Sequence, residues 1–173
     1  MEAVWEFDIQ LLRLLNYNRI ELFDNLLYWL SKTAYFVTFG IILYICLIAF
    51  FKRSEKLKTS LIRMVFMLAT VSIIVISLKY AIIRARPFDI YTDIINSSGA
   101  TSPSFPSGHT VIVFTLAFGL IFSGIKRLYY LPVLVWAILV GYSRLALGAH
   151  FPTDVLTSIV IAFAVTLLFL RNT

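Results

Sequence analysis

The chain is 173 residues long, 60% hydrophobic and only 14% charged, with a net charge of +6. A soluble domain is typically about half apolar and a quarter charged, so both departures exclude an ordinary soluble protein and point to one built in a bilayer. The apolar runs leave no stretch for a separate soluble domain. The positive charge is therefore read by its location along the chain rather than as a nucleic-acid footprint.

Residues Val4 to Leu15 read as an amphipathic helix. Val4, Phe7, Leu11 and Leu14 share one face at helical spacing, and Glu6, Gln10 and Arg13 share another, so the segment is expected to lie at the membrane interface. Glu2, Glu6 and Asp8 stand where a cleavable signal peptide would be basic, so the first span is expected to direct insertion itself. Asn16-Tyr17-Asn18 breaks the helix. A second amphipathic piece, Ile20 to Leu30, leads into the first span, and Asp24, Asn25 and Lys32 argue against its crossing separately.

A membrane span needs roughly 20 mostly apolar residues. Ala34 to Phe51, Leu61 to Ile83, Val111 to Ile125, Tyr129 to Leu147 and Val155 to Leu170 qualify, the third and fifth with a few flanking residues. The expected fold is all-α: a polytopic helical bundle of five or six transmembrane helices. It forms one domain over residues 1–173, opened by an interfacial segment over residues 1–30. Cys46, the sole cysteine, lies within an apolar run and forms no intrachain disulfide. Lys52, Arg53, Lys56, Lys58 and Arg63 cluster between the first two spans, Lys126 and Arg127 lie in the next loop on the same side, and Arg171 follows the last span. Cytoplasmic loops are enriched in Lys and Arg, which places these groups inside. The opposite ends of the spans then face outward, in an inner (plasma) membrane.

Three pieces at those opposite ends carry nearly all the remaining polar chemistry. The first is Lys79 to Pro87. A charge near the end of an apolar span is costly if it faces lipid. Pro87 disfavours helix at Arg86, so the helix should end just before it and let Arg86 turn toward Lys79. Two converging cations repel unless an anion lies between them. Arg84 is a possible third such cation, but is assigned by preference to lipid headgroups. The loop from Arg84 to Pro106 is rich in Pro, Gly, Ser and Asn and is expected to be irregular, a candidate lid in which Asp89 and Asp93 lie.

The second piece is Pro106-Ser107-Gly108-His109, ahead of the third span. Ser107 suits a helix N-cap. The first-turn N–H groups and the helix dipole make an anion site, Gly108 permits close approach of backbone to a phosphate oxygen, and His109 faces the same anion. The third piece is Ser143-Arg144, then His150 and Asp154. Pro152 fits the first position of the last helix, which puts Asp154 in its first turn. From there the carboxylate reaches back to one imidazole nitrogen of His150, fixing the tautomer and leaving the other nitrogen as a nucleophile.

Together these pieces read Lys-x6-Arg-Pro, Pro-Ser-Gly-His and Ser-Arg-x5-His-x3-Asp, spanning Lys79 to Asp154. In this the chain resembles the type 2 phosphatidic acid phosphatase (PAP2) superfamily, in its membrane lipid phosphatase branch. The resemblance implies that His150 attacks phosphorus to form a phosphohistidine, that Asp154 orients it, and that His109 protonates the leaving oxygen and later helps water attack. It implies a phosphate clamp of Lys79, Arg86 and Arg144, joined by Ser107 and the Gly108 backbone. Three fixed cations can do what a metal does elsewhere in phosphoryl transfer, so neither a metal nor another cofactor is expected. A rival metal site built from His109, His150, Asp154, Asp89 and Asp93 would set a cation among cations.

A chain that invests nearly everything in spans is expected to act on a lipid phosphate whose tail stays in the bilayer. Candidates are lipid A 1-phosphate, undecaprenyl pyrophosphate, phosphatidylglycerol phosphate and phosphatidic acid. The expected partners are this lipid and the bilayer, with no nucleic acid and no obligate protein partner. A lipid-to-lipid phosphotransferase is the alternative enzyme. A transporter using the cations as an anion filter is the non-enzymatic alternative, and it has no need of the His150–Asp154 pair.

Overall fold

A computed structural model describes residues 2–171. Helix α1 runs Glu2–Tyr17, and a single 3-10 turn, Glu21–Phe23, leads into α2, Asp24–Phe51. Helix α3 is Glu55–Ile82, the short α4 is Pro87–Ile90, α5 is Gly108–Phe122, α6 is Arg127–Ala146 and α7 is Pro152–Arg171. The all-α expectation holds. Among the described residues, four helical segments are long and apolar enough to cross a membrane, and α5 is a shorter apolar helix. The piece from Ile20 to Leu30 is not a separate crossing, because α2 continues without a break from Asp24 to Phe51.

Helix α5 is the centre of the bundle and packs against α2, α3, α6 and α7. At 15 residues it is about 22 Å long, short of the roughly 30 Å of a bilayer core. It has no need to meet lipid, because it is buried nearly all round: Thr110, Val111, Val113, Phe114, Thr115, Leu116, Ala117, Gly119 and Leu120 are all inside. Lipid tails are as apolar as leucine, so close packing and interhelical hydrogen bonds hold such a bundle together. A side-chain carbon at Gly119 would come within 3.2 Å of the Met64 side chain on α3, and one at Gly141 within 3.6 Å of the Phe114 ring. Trp136 Nε1 on α6 donates to Thr33 Oγ1 on α2 at 3.0 Å. Outward, α2 and α3 present Phe36, Phe39, Tyr44, Phe50, Phe66 and Ile73, as a lipid-facing surface should.

Helix α1 has two distinct faces. Phe7 and Leu14, on the face expected to meet the interface, are exposed, while Asp8, Ile9, Leu12 and Asn16 are buried against the bundle. Val4 lies where side chains are outside the described residues, as does that of Arg171. The helix docks across the ends of α6 and α7. The cause is specific polar pairing. Asn16 donates to the Ala146 carbonyl at 2.8 Å and to the Ile95 carbonyl at 3.1 Å, and it accepts from the Ile95 N–H at 3.0 Å. Arg13 and Tyr17 hold Asp93, at 2.7 and 2.9 Å. The long loop is thus pinned to α1 rather than hanging free. At Gly148, where φ is +67°, a side chain would lie 2.6 Å from the Ile95 carbonyl, so the turn after α6 closes only around glycine.

Candidate active site

The end of α3, the start of α5, the end of α6 and the start of α7 meet at one end of the bundle, opposite the basic loops that carry Lys52 and Lys126. Helix α3 stops at Ile82, and Ile83 takes a left-handed conformation as its cap. This sharp exit swings Arg86 back over the bundle. There it is 4% exposed, donating to the Ser102 carbonyl at 2.6 Å and the Ala149 carbonyl at 2.5 Å. Lys79 donates to the Pro103 carbonyl. Arg144, also 4% exposed, donates to Ser31 Oγ at 2.6 Å, and its Nε has no partner.

The common feature of these three cations is what they lack. Among the described residues none forms an ion pair. Each is held by neutral oxygens, which fix its position without cancelling its charge. A buried cation left uncompensated is costly unless an anion arrives. The nearby carboxylates are engaged elsewhere. Asp154 Oδ1 takes Arg84 Nη1 at 2.5 Å, and Asp8 takes Arg84 Nη2 at 2.8 Å.

His150 is 2% exposed and Asp154 fully buried. Nδ1 of His150 lies 3.5 Å from Asp154 Oδ2. That is too long for a hydrogen bond, and Nδ1 has no other partner. The carboxylate reaches toward the imidazole as the spacing predicts. Its oxygens are occupied by the Phe151 N–H at 3.0 Å, by Ser104 Oγ and by Arg84. Burial pushes the His150 imidazole down to about 3, against the pull of Asp154, with Arg144 and Arg86 pushing the same way. The ring is therefore neutral near pH 7 and keeps a lone pair for attack. A proton on Nδ1, toward Asp154, would leave Nε2 as the free nitrogen.

Ser107 sits at the N-cap position of α5 with extended backbone, but its hydroxyl does not cap. It pairs with Thr110 Oγ1 at 2.8 Å. This corrects the capping expectation and leaves the first-turn N–H groups of α5 without a side-chain acceptor, which suits an anion site more directly. A side chain at Gly108 would meet the Tyr35 hydroxyl at 3.3 Å. The ring of Tyr35 packs on His109 with centroids 4.9 Å apart.

The fold brings Lys79, Arg86, Ser107, Gly108, His109, Arg144, His150 and Asp154 to one end of the bundle. Asp93 stays apart from them, paired with Arg13, and Asp89 meets the set through the Arg86 backbone N–H. Arg84 is corrected from a headgroup ligand to a buried ion-pair residue. Reading the sequence missed Asp8, Ser31, Tyr35 and Ser104. One signal was available. Asp8 and Asn16 flank Leu12 on a single stripe of α1, and a polar residue at both ends of a stripe marks a docked face rather than a lipid-facing one.

Comparison with known proteins bears on the same residues. The PAP2 superfamily family model matches residues 60–173. An undecaprenyl-diphosphatase of Sulfolobus acidocaldarius is 34% identical over 151 residues, 87% of this chain and 70% of that protein. A lipid A 1-phosphatase of Rhizobium etli is 37% identical over 89 residues, 47% of this chain and 37% of that protein. The crystal structure of Aquifex aeolicus LpxE superposes with a TM-score of 0.82 at 28% identity, covering 95% of each chain. That of a transmembrane PAP2-type phosphatidylglycerolphosphate phosphatase from Bacillus subtilis gives 0.79 at 24% identity, over 99% of this chain and 86% of the other, a likeness of fold.

Proposed function

The chain belongs to the PAP2 superfamily of membrane lipid phosphatases, and from that premise we propose that it hydrolyses a lipid diphosphate at the outer membrane face through a phosphohistidine. The observation that carries this reading is the set of three cations, Lys79, Arg86 and Arg144, fixed by neutral acceptors around a neutral histidine. The site requires an anion and offers it a nucleophile.

In this mechanism His150 Nε2 attacks phosphorus as the bond to the leaving oxygen breaks, and His109, which takes up a proton once the bound phosphate offsets the surrounding cations, gives that oxygen a proton. Water then attacks the phosphohistidine, passes a proton to His109, and the P–N bond breaks to release inorganic phosphate. Lys79, Arg86, Arg144 and the free N–H groups at the start of α5 hold the equatorial oxygens throughout. The clamp supplies the positive charge without a metal. The positive-inside asymmetry favours an outward-facing site in a plasma membrane, and residues 1–173 act as one domain.

Two observations favour a diphosphate over the other lipids. Of the two sequence relatives, the one matched over 87% of this chain is an undecaprenyl-diphosphatase. Helix α2 also turns one face over the site: Ser31 holds Arg144, and Tyr35 packs on His109. Lys32 lies on that turn, exposed, with its ammonium 5.2 Å from the Tyr28 ring centroid and no ion pair among the described residues. A second phosphate on the leaving-group side would meet it.

A panel of lipid monophosphates and diphosphates in detergent micelles, run with and without chelator, tests this. Polyprenyl diphosphate should give the highest kcat/KM, with inorganic phosphate as product and no loss in chelator. Lys32→Met should raise its KM about fivefold to tenfold while leaving monophosphates unchanged. Activity that depends on a restored divalent metal would overturn the metal-free mechanism, and phosphate recovered on an added acceptor lipid would make the protein a phosphotransferase.

The role of His109 is tested by leaving-group chemistry. His109→Asn should lower kcat on a lipid phosphate about 10²- to 10⁴-fold. With a phosphate ester of an acidic alcohol, whose oxygen departs without a proton, the loss should shrink to a small factor. An equal loss on both substrates would assign His109 to binding.

A further inference from the structure

We propose that Arg84, anchored on α1 through Asp8, is a positioning residue that sets the Asp154 carboxylate for His150, making the N-terminal helix a working part of the site. This rests on the reading of His150 as the nucleophile. Arg84 lies outside the phosphate clamp, and its geometry differs in kind from that of the three clamp cations. They meet only neutral acceptors, whereas Arg84 is divided between two carboxylates. Nη1 donates to Asp154 Oδ1 at 2.5 Å and to Thr153 Oγ1 at 2.8 Å, and Nη2 donates to Asp8 Oδ2 at 2.8 Å.

The guanidinium is held from other directions too. It lies 4.0 Å from the Phe151 ring centroid and 4.5 Å from that of Trp5. Asp8 in turn accepts from the Thr153 backbone N–H at 2.8 Å and the Thr153 hydroxyl at 2.6 Å. Asp8 therefore sits over the first turn of α7, where a carboxylate is favoured by the helix dipole. The result is a chain of contacts running Asp8, Arg84, Asp154 and His150, joining α1 to the start of α7. Trp5 and Asp8 come from α1, so the relay does not exist without that helix.

The long His150–Asp154 separation gives the relay its importance. At 3.5 Å the bond to Nδ1 is not made, and a small rotation of the carboxylate decides whether it can be. Ser104 and the Phe151 N–H hold Oδ2, and Arg84 holds Oδ1. With Arg84 gone, the carboxylate loses the contact that stops it turning. A cavity of about 530 Å³ lies against the guanidinium, lined by Trp5, Ile82, Ile90 and Phe105 among others. It gives a small cation a route to the same position.

The test uses full-length protein in detergent with a polyprenyl diphosphate as substrate. Arg84→Gln should lower kcat about 10²-fold, the cost of misplacing a reacting group by an ångström, with KM unchanged. Arg84→Lys should recover part of the loss. Arg84→Ala should gain severalfold in kcat from added guanidinium and nothing from urea at the same concentration. A kcat near wild type for Arg84→Gln, or a loss that appears in KM alone, would overturn the proposal. If Arg84→Gln is not recovered as a monodisperse protein, Asp8→Asn decides: a lower kcat at unchanged KM supports the relay, and a wild-type kcat overturns it. Wild type and His150→Ala run alongside. An inactive wild type or an active His150→Ala would instead overturn the reading of the site itself.

Discussion

Replacing His150 with alanine should lower kcat on a lipid phosphate by about 10⁴-fold or more, the scale of losing a nucleophile, with the protein still folded and inserted. The imidazole is buried at the junction of α6 and α7, and the helices around it are held by contacts it does not make. Its backbone N–H donates to the Arg144 carbonyl at 3.2 Å, and that bond survives the substitution. The check has two parts. Steady-state turnover gives the fall in kcat. Rapid acid-free quenching with radiolabelled substrate should trap phosphate on the wild type through an alkali-stable, acid-labile bond, and none on the variant. Substantial turnover by His150→Ala, or a labelled variant, would mean another group attacks phosphorus. An anion transporter would also be insensitive to this change, so the same experiment separates the two classes.

The second large effect is expected at Arg144. Arg144→Ala should cost about 10³-fold in kcat/KM, the upper range for removing one charged donor from a developing anion. Arg144→Lys should recover only part of this, because an ammonium lacks the planar fork that grips two oxygens. Stability should move the other way. Among the described residues the guanidinium is buried with one side-chain partner, Ser31, and an unpartnered Nε. Removing an uncompensated buried charge is neutral or stabilising. The thermal midpoint of Arg144→Ala in detergent should therefore match or exceed that of the wild type. Vanadate, a mimic of five-coordinate phosphorus, should raise the wild-type midpoint and leave the variant's unchanged, since a ligand stabilises only the state that binds it. A variant that unfolds at lower temperature and still responds to vanadate would make Arg144 a structural residue.

The spans were legible because apolar composition is a local property, readable in a window of about 20 residues. Their ends were legible for the same reason. Pro87 and Pro152 mark helix boundaries, and α7 does begin at Pro152 with Asp154 in its first turn. The Ser107 hydroxyl was misassigned because a capping serine has a competitor one turn on, in Thr110, that sequence spacing does not rank. The docked face of helix α1 was not legible for a reason peculiar to membranes. In water an apolar stripe turns inward, whereas in a bilayer it is equally at home against lipid. The exposed Phe7 and Leu14 and the buried Asp8 and Asn16 follow from that reversal.

The sequence by itself determined that this is a helical membrane protein with a set of cations and histidines gathered at one end. Periodicity and spacing along the chain suffice for that. Only the tertiary structure decided which cations are free to meet an anion. Arg84 and Arg86 stand two residues apart and are chemically identical, yet one is divided between Asp8 and Asp154, 76 and 70 residues away, and the other meets only carbonyls and a hydroxyl. Whether a buried charge is neutralised depends on what the fold places within about 4 Å of it, and no pattern local to Arg84 or Arg86 contains that distance.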